Sequence, residues 1–302
     1  MKIIPLLFIP LLLTGCTDIR RRLSPDLLAV DTGETVSFAA HTSQEDALIA
    51  AEAEDPLLLT DALGRAAGAE ISTGHLTMLA VSGDPCGVTE TYLQAQDLAP
   101  TCTVLAVDRN ACDALRSGSL PEPDQIEAAV QTGMLPCRTA DSVVGDLWGG
   151  SGVTALTACR GDALTVTLYA DGQCCGTLSE DACRGLALLG GRYETFAFDA
   201  AGTAFRIRHA LLRISVHMAD RPEITVSGEI RTEPPLTDAA EKRLAEMLSA
   251  ALRETVCAAG ADLLFLREAA LRDGLPAAQS CSQAEWRRML LESDCRIALP
   301  LR

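Results

Sequence analysis

The apolar residues of this chain occur in short runs, and the length of these runs limits what the chain can fold into. Two runs, within His75–Gly83 and at Thr103–Val107, are five to seven residues long and are bounded by Gly, Pro or Asp. Runs of this length favour buried strands over helices. The segments LLAVD and TVSFAA flank a glycine turn and predict two more strands. In contrast, Asp55–Ala67 has the three- and four-residue apolar spacing of a helix.

The middle of the chain predicts three consecutive strands followed by a helix. The predicted strands are Val153–Cys159, Ala163–Tyr169 and Cys174–Leu178. Apolar and polar residues alternate along the second strand, as expected when one face of a strand is buried. Asp171-Gly172 is typical of a tight hairpin turn. Ser179 then predicts a helix N-cap, and Gly190-Gly191 predicts the end of that helix.

The C-terminal third predicts strands first and helices afterwards. The strands are expected at Phe205–Arg208, Leu211–Met218 and Glu223–Arg231. A long amphipathic helix is predicted from Thr237 onwards, because its apolar residues follow the i, i+3, i+4, i+7 pattern. Ser282 to Glu285 matches a capping box before a helix that includes Trp286–Leu291. Arg296–Leu301 predicts a terminal strand.

The amino-terminal residues predict export and attachment of a lipid. Ile3–Leu13 is an apolar leader after the basic residue Lys2, and its length is that of a signal-peptide core rather than a membrane span. The sequence Leu13-Thr14-Gly15-Cys16 follows, with small residues before a cysteine that lipoprotein processing would acylate. We therefore expect the mature chain to begin at a lipid-bearing Cys16 on the extracytoplasmic face of a membrane. An ordinary secretory peptide with an unmodified cysteine is the alternative.

These patterns together predict an α+β fold with several domains and with mixed or antiparallel sheets. Residues 1–15 are predicted to be a lipoprotein signal peptide, and residues 16–23 a polar tether with three arginines. Residues 24–190 would form an N-terminal α/β region, which a split near 118–136 would divide into two subdomains. Residues 191–302 would form a C-terminal α+β domain, an antiparallel sheet packed by the long amphipathic helix.

Composition excludes some classes of partner. The 302 residues are 48% hydrophobic, which is enough for a sizeable core, and carry a formal net charge of −16. Nucleic acids are not expected as partners, because phosphate binding requires clustered Lys and Arg. The same charge disfavours binding flat on an anionic membrane, so we expect contact with the membrane through the N-terminal lipid.

Signatures of catalysis are lacking in the sequence. It has no Gly-x-Ser-x-Gly elbow, P-loop, dinucleotide-binding glycine motif or His-Glu-x-x-His motif, so we predict no catalytic residues, no cofactor and no enzymatic activity. Of the four histidines, only His209 and His217 are candidates to lie near one another, on neighbouring strands. The two could bind a metal ion, but we favour the interpretation that they are solvent-exposed or core histidines. Trp148–Gly152 is interpreted as a connection between domains, with a contact loop as the alternative.

The cysteines leave two interpretations open. The chain has twelve, so an odd number remains beside Cys16 and complete intramolecular pairing is impossible. No Cys-x-x-Cys occurs, which argues against a zinc ribbon or a thioredoxin-type motif. Reduced, the cysteines would be small buried hydrophobic residues; in an exported protein, one or more disulfides would form. The sequence does not determine which cysteines would pair.

The order of these segments resembles that of a known family, the Ger(x)C lipoproteins. These are the C subunits of nutrient germinant receptors in endospore-forming bacteria. The segments that carry the resemblance are LTGCTDIRR, LLAVD, GHLTMLAVSGD, LYADGQCCGTLSEDACRGLALLGG, ITVSGEIRTE, GADLLFL and AEWRRMLLESDCRIALPLR. Each segment alone is weak, and their order and spacing over nearly the whole mature chain make the resemblance specific.

The resemblance implies a non-catalytic lipoprotein on the outer face of the spore inner membrane. It also implies two partners, both multi-pass membrane subunits of a germinant receptor, and a role in spore germination. Two other functions remain as alternatives. One is an extracytoplasmic substrate-binding lipoprotein of a transporter, and the other is a structural lipoprotein of the envelope.

Overall fold

The computed structural model describes residues 21–95, 98–161, 163–219 and 221–298. Its strands, in chain order, are β1 (Arg22–Leu23), β2 (Leu27–Asp31), β3 (Val36–Thr42), β4 (Ala47–Ala53), β5 (Glu70–Ile71), β6 (Met78–Ser82), β7 (Thr103–Val107), β8 (Val153–Arg160), β9 (Ala163–Ala170), β10 (Gln173–Thr177), β11 (Phe196–Ala200), β12 (Thr203–Met218), β13 (Pro222–Glu233) and β14 (Asp294–Ala298).

The α-helices occupy the intervals between these strands. They are α1 (Leu59–Ala67), α2 (Pro85–Gln94), α3 (Ala111–Arg116), α4 (Pro123–Gln131), α5 (Ala140–Gly149), α6 (Glu180–Gly190), α7 (Asp238–Leu252), α8 (Leu266–Arg272), α9 (Ala277–Ser280) and α10 (Gln283–Leu291). A 3₁₀ turn, Pro56–Leu58, precedes α1, and a π-helical segment, Arg253–Cys257, continues α7.

An eight-stranded mixed sheet organises the N-terminal part, in the order β10-β9-β8-β7-β6-β2-β3-β4. Its central strands β2, β6, β7 and β8 are parallel, and hairpins add the antiparallel strands at both edges. Parallel strands are buried on both faces, and for this reason they appear in the sequence as continuous short apolar runs. Residues from α1, α2 and α5 pack on one face of the sheet, and residues from α3 and α4 pack on the other.

A four-stranded sheet organises the C-terminal part, in the order β11-β12-β13-β14. The strands β11, β12 and β13 are antiparallel neighbours. The long helix α7 packs on this sheet through its apolar stripe, which includes Leu244, Met247 and Leu248. The predicted α+β class, with a long amphipathic helix on the C-terminal sheet, is confirmed.

Two details of the predicted C-terminal sheet were wrong. The strand β14 runs parallel to β13, so the sheet is mixed rather than antiparallel. The strands predicted at Phe205–Arg208 and Leu211–Met218 are one continuous strand, β12, because a register shift between Ile207 and His209 lets the ladder to β13 continue. The predicted terminal strand begins two residues earlier than expected, at Asp294, and its last predicted residues lie outside the described part of the chain.

The domain boundary predicted at residues 190 and 191 stays a prediction. Across it, α6 and α7 pack without a gap: a Cβ atom added at Gly185 would overlap the carbonyl oxygen of Met247. One apolar cluster contains Val166 of β9, Leu186 of α6 and Ala251 of α7. The helix α6 therefore contributes to cores on both sides of the predicted boundary.

Candidate functional site

A cleft of about 280 Å³ lies where α5, α6 and the segment before α8 meet. Arg138 and Asp146 line it from the α5 side, Leu186 and Gly190 from α6, and Leu263–Phe265 from the opposite wall. Residues from the middle of the chain and from its C-terminal part therefore form the cleft. This location makes it the candidate functional site, because ligand sites occur preferentially where separate structural units meet.

A buried ion pair supports the side of this cleft. Arg138 and Asp146 form a salt bridge, and their side chains are 7% and 8% exposed. The Arg138 Nε–H group donates to the carbonyl oxygen of Ala155 at 3.0 Å, and the Thr154 hydroxyl donates to Asp146 Oδ2 at 2.9 Å. These hydrogen bonds fix α5 to β8. They form a buried polar network, which adds rigidity because its members are paired with one another.

Burial changes the acidity of Asp146. Loss of solvent raises its pKa to about 6, and this effect outweighs the nearby Arg138 guanidinium and the Thr154 hydrogen bond, which both lower the pKa. At neutral pH the carboxylate is therefore ionised and balances the charge of Arg138. Below about pH 6 it takes up a proton, and the Arg138 charge loses its counterion.

A second buried carboxylate, Asp262, holds the opposite wall of the cleft. It accepts the backbone N–H of Leu266 at 2.6 Å and that of Arg267 at 3.0 Å, and so caps α8. It also accepts the indole N–H of Trp286 at 2.8 Å, which links α8 to α10. Burial raises the pKa of Asp262, although these three hydrogen bonds lower it.

Phe265 projects from this wall in an unusual conformation. Its backbone is left-handed, with φ 55° and ψ 42°, although it is not glycine. The residue is 69% exposed, the largest exposed fraction among the large hydrophobic residues described. A left-handed non-glycine residue costs roughly 1–2 kcal/mol. The hydrogen bonds of Asp262 to the next two residues hold the backbone in this position.

The segment Trp148–Gly152 joins α5 to β8 of the eight-stranded sheet and contacts residues of the C-terminal part. Its first two residues are the end of α5 and not a loop, which corrects the predicted loop. The Gln283 side-chain amide donates to the carbonyl oxygens of Leu147 and Trp148, at 2.9 and 2.6 Å. The backbone N–H of Asp262 donates to Ser151 Oγ at 3.1 Å. The chain itself does not pass between the two parts at this segment, so the predicted connection between domains is not found here.

The residues singled out from the sequence are not in the cleft. Cys16 lies outside the described residues, and its lipidation stays a prediction. His209 and His217, the candidates for a close pair, lie on the single strand β12, eight positions and about 26 Å apart, and do not lie near one another. The other two histidines, His41 on β3 and His75 before β6, belong to other regions. Within the described ranges, no group of three or more His, Cys, Asp or Glu side chains could hold a metal ion.

The cysteines described are thiols with different exposures. The buried ones are Cys86, Cys102, Cys112, Cys159 and Cys183. Their burial accords with the interpretation of cysteine as a small core residue. Cys174 and Cys175 are both exposed on the edge strand β10, where the register shifts between Cys174 and Gly176.

Sequence reasoning missed the residues that build the cleft. Arg138, Asp146 and Asp262 have partners on other elements, and neither their spacing nor their neighbours form a known motif. One signal was present: Asp146 and Asp262 each lie directly among apolar residues, in VVGDLW and GADLLFL. A charged residue in such a position is rarely fully buried unless it has a partner.

Comparisons with known proteins identify the fold. The structure is similar to the crystal structure of the GerBC protein, with a TM-score of 0.54 over 90% of this chain and 95% of that chain. This chain shares the fold of the GerBC protein. The sequence identity is 14%, so the similarity is one of fold. The similarity covers 90% of this chain and therefore extends over both of its large sheets.

Two other comparisons give no match. No protein-family model matches the sequence, and neither does any curated protein. None of the helices that the structure describes combines the length and the apolar character needed to cross a membrane.

Proposed function

We propose that this chain is a Ger(x)C-type lipoprotein and acts as a non-catalytic, membrane-tethered subunit of a spore nutrient germinant receptor. The observation that carries the proposal is the similarity to the GerBC fold over nearly the full length of both chains. The lipoprotein signature Leu13-Thr14-Gly15-Cys16 supports it independently. The partners in this proposal are two multi-pass membrane subunits.

The cleft supports a role in binding rather than in chemistry. Its buried charges already have partners: Arg138 pairs with Asp146, and Asp262 accepts three hydrogen bonds. Groups that are satisfied in this way stabilise a shape, whereas catalysis needs a nucleophile or base directed at a substrate. The cleft therefore suits a protein whose function depends on rigid placement of its surface.

A lipid anchor gives this function a physical basis. An acyl chain contributes about 0.8 kcal/mol for each buried methylene, and two or more chains hold a protein at the membrane. Attachment raises the effective concentration of the domain near its membrane partners. In this proposal a weak contact between subunits is then sufficient, because the anchor supplies much of the association.

Release of dipicolinic acid from spores tests the proposal. A deletion strain is compared with the same strain carrying the wild-type gene, and each is exposed to nutrients and to a non-nutrient trigger. We expect the deletion to abolish the nutrient response and to leave the non-nutrient response unchanged. Restoration by the wild-type gene shows that the loss belongs to this chain.

An unchanged nutrient response in a strain that also lacks related receptors would overturn the proposal. That result would favour a structural lipoprotein of the envelope. The remaining alternative, a transporter's substrate-binding lipoprotein, would need two similar α/β lobes around a cleft. The two large sheets described here have eight and four strands in different orders, which disfavours it.

A further inference from the structure

Two cysteines from distant parts of the C-terminal region meet beside the four-stranded sheet. Cys257 is the last residue of the π-helical segment that continues α7. Cys295 lies on β14, where it pairs with Ile224 of β13. Their Sγ atoms are 3.4 Å apart. A disulfide has an S–S distance of about 2.05 Å, so the bond requires a movement of little more than about 1 Å.

Both thiols are accessible enough to react. Each side chain is partly exposed, in contrast to the five cysteines buried in the cores. We therefore expect a low-molecular-weight oxidant to reach them in the folded protein. Neither thiol belongs to the cleft, and the chemistry of this pair does not depend on the proposed function.

The contact also gives the two sulfurs different roles. The hydrogen-bond contact with Cys295 lowers the pKa of Cys257 to about 7, helped by Ser293 and the Arg253 charge and opposed by burial and Asp294. The same hydrogen bond, together with burial, raises the pKa of Cys295. Because the thiolate is the nucleophile in disulfide exchange, Cys257 attacks first.

We propose that Cys257 and Cys295 form a redox-active pair that closes an intramolecular disulfide by exchange with a low-molecular-weight disulfide such as oxidised glutathione. The Cys257 thiolate attacks one sulfur of the oxidant, and the first glutathione leaves as a thiolate. Cys295 then loses its proton and attacks the Cys257 sulfur of the mixed disulfide, which expels the second glutathione. The protein loses two protons and two electrons, and one glutathione disulfide becomes two thiols.

The disulfide joins an edge strand to a helix. Among the described strands, β14 has a hydrogen-bonded neighbour on one side only, β13. The bond fixes it to the end of the α7 segment, which packs on the same sheet. Oxidation therefore locks the C-terminal sheet onto the helix that covers it.

Peptide mapping of the full-length protein in detergent tests the proposal. The protein is fully reduced, treated with oxidised glutathione under native conditions, quenched with acid, blocked with N-ethylmaleimide in denaturant at near-neutral pH and digested with trypsin. Cleavage after arginine places Cys257 on residues 254–267 and Cys295 on residues 289–296, with one cysteine on each peptide. We expect these two peptides to be linked, with loss of the N-ethylmaleimide label from both.

Variants separate the two steps of the exchange. Cys295→Ser cannot resolve the mixed disulfide, so glutathione should accumulate on Cys257. Cys257→Ser should leave Cys295 labelled by N-ethylmaleimide. The matched control is Cys281→Ser, which removes another partly exposed cysteine of this region and should leave the link unchanged.

Two results would overturn the proposal. The first is N-ethylmaleimide on both peptides after native oxidation of the wild-type protein. The second is a Cys257 peptide that is linked to several other cysteine peptides as often as it is linked to the Cys295 peptide. Such random pairing is what a sample oxidised in urea would show. Both results come from the wild-type chain, so the test holds even if a variant fails to fold.

Discussion

At the scale of single residues, Asp146 makes stability depend on pH. Its carboxyl has a pKa of about 6 in the folded protein, above its ordinary value, because it is buried. The folded state therefore holds this proton more tightly than the unfolded state between about pH 4 and pH 6. The contribution of this group is largest below pH 4 and falls by up to about 3 kcal/mol as the pH rises through 6.

The variant Asp146→Asn isolates this effect, because an amide does not titrate. We expect the free energy of unfolding of the wild type, relative to this variant, to decrease between pH 4 and pH 6.5. Urea unfolding at several pH values measures it. Asp124→Asn, which alters an exposed carboxylate on α4, is the control and should show a much smaller change. A constant difference between wild type and Asp146→Asn would contradict the assignment.

Asp262 is the residue whose loss should disturb the cleft most. Replacement by Ala leaves the N–H groups of Leu266, Arg267 and Trp286 without their acceptor, which should cost roughly 3 kcal/mol of unfolding free energy. Urea unfolding followed by tryptophan fluorescence measures the loss, and the Trp286 emission should move to longer wavelength. Glu285→Ala, which removes an exposed capping-box carboxylate on α10, should cost much less unfolding free energy. Equal losses in the two variants would be inconsistent with this role.

At the scale of elements, the contact between α6 and α7 depends on one glycine. A Cβ atom at Gly185 would overlap the Met247 carbonyl and press on Ala251, both on α7. Gly185→Ala should therefore separate the helices and destabilise the protein by about 2–4 kcal/mol, as overpacking of a backbone contact does. Thermal or urea unfolding provides the measurement.

Another glycine on the same helix supplies a matched control. Gly190 is exposed, and a Cβ atom added there would meet nothing within 4 Å. Because alanine restricts the unfolded chain more than glycine does, Gly190→Ala should be neutral or stabilising by up to about 1 kcal/mol. If Gly185→Ala were equally harmless, the helix contact would be looser than described.

Elements with local signals could be predicted from the sequence, and elements stabilised by distant partners could not. The hairpin of β8 and β9 has alternating residues and turn signals, and α6 and α10 begin at Ser179 and Ser282, which are N-caps in the structure. In contrast, β4 has the sequence ALIAAEA, whose alanines favour a helix, and it is a strand because it pairs with β3. The cleft was missed for the same reason, since Asp262 meets Ser151 only in the folded chain.

At the scale of the whole molecule, the proposed function requires that the fold be held at a membrane. Cys16→Ala removes the predicted site of lipid attachment. We expect the variant protein to move from the membrane to the soluble fraction and the nutrient response of the spores to be lost. Immunoblots of spore fractions and the release of dipicolinic acid measure the two effects.

The unchanged fold of this variant is its internal control. The soluble protein should have the same circular dichroism and urea midpoint as the wild-type domain, because Cys16 precedes every described strand and helix. A Cys16→Ala protein that stayed in the membrane fraction would contradict lipid anchoring at this residue. Soluble protein with a normal nutrient response would show that the anchor is dispensable.

The positions of the two sheets along the chain give the molecule an order of assembly. All strands of the eight-stranded sheet lie before residue 178. In contrast, β13 pairs with β14, which follows it in the chain only after all the C-terminal helices. A chain that emerges from its amino terminus can therefore complete the first sheet while the second still lacks its edge. Interruption of synthesis or export before Asp294 would leave the β13 backbone exposed as a template on which a second chain could add a strand.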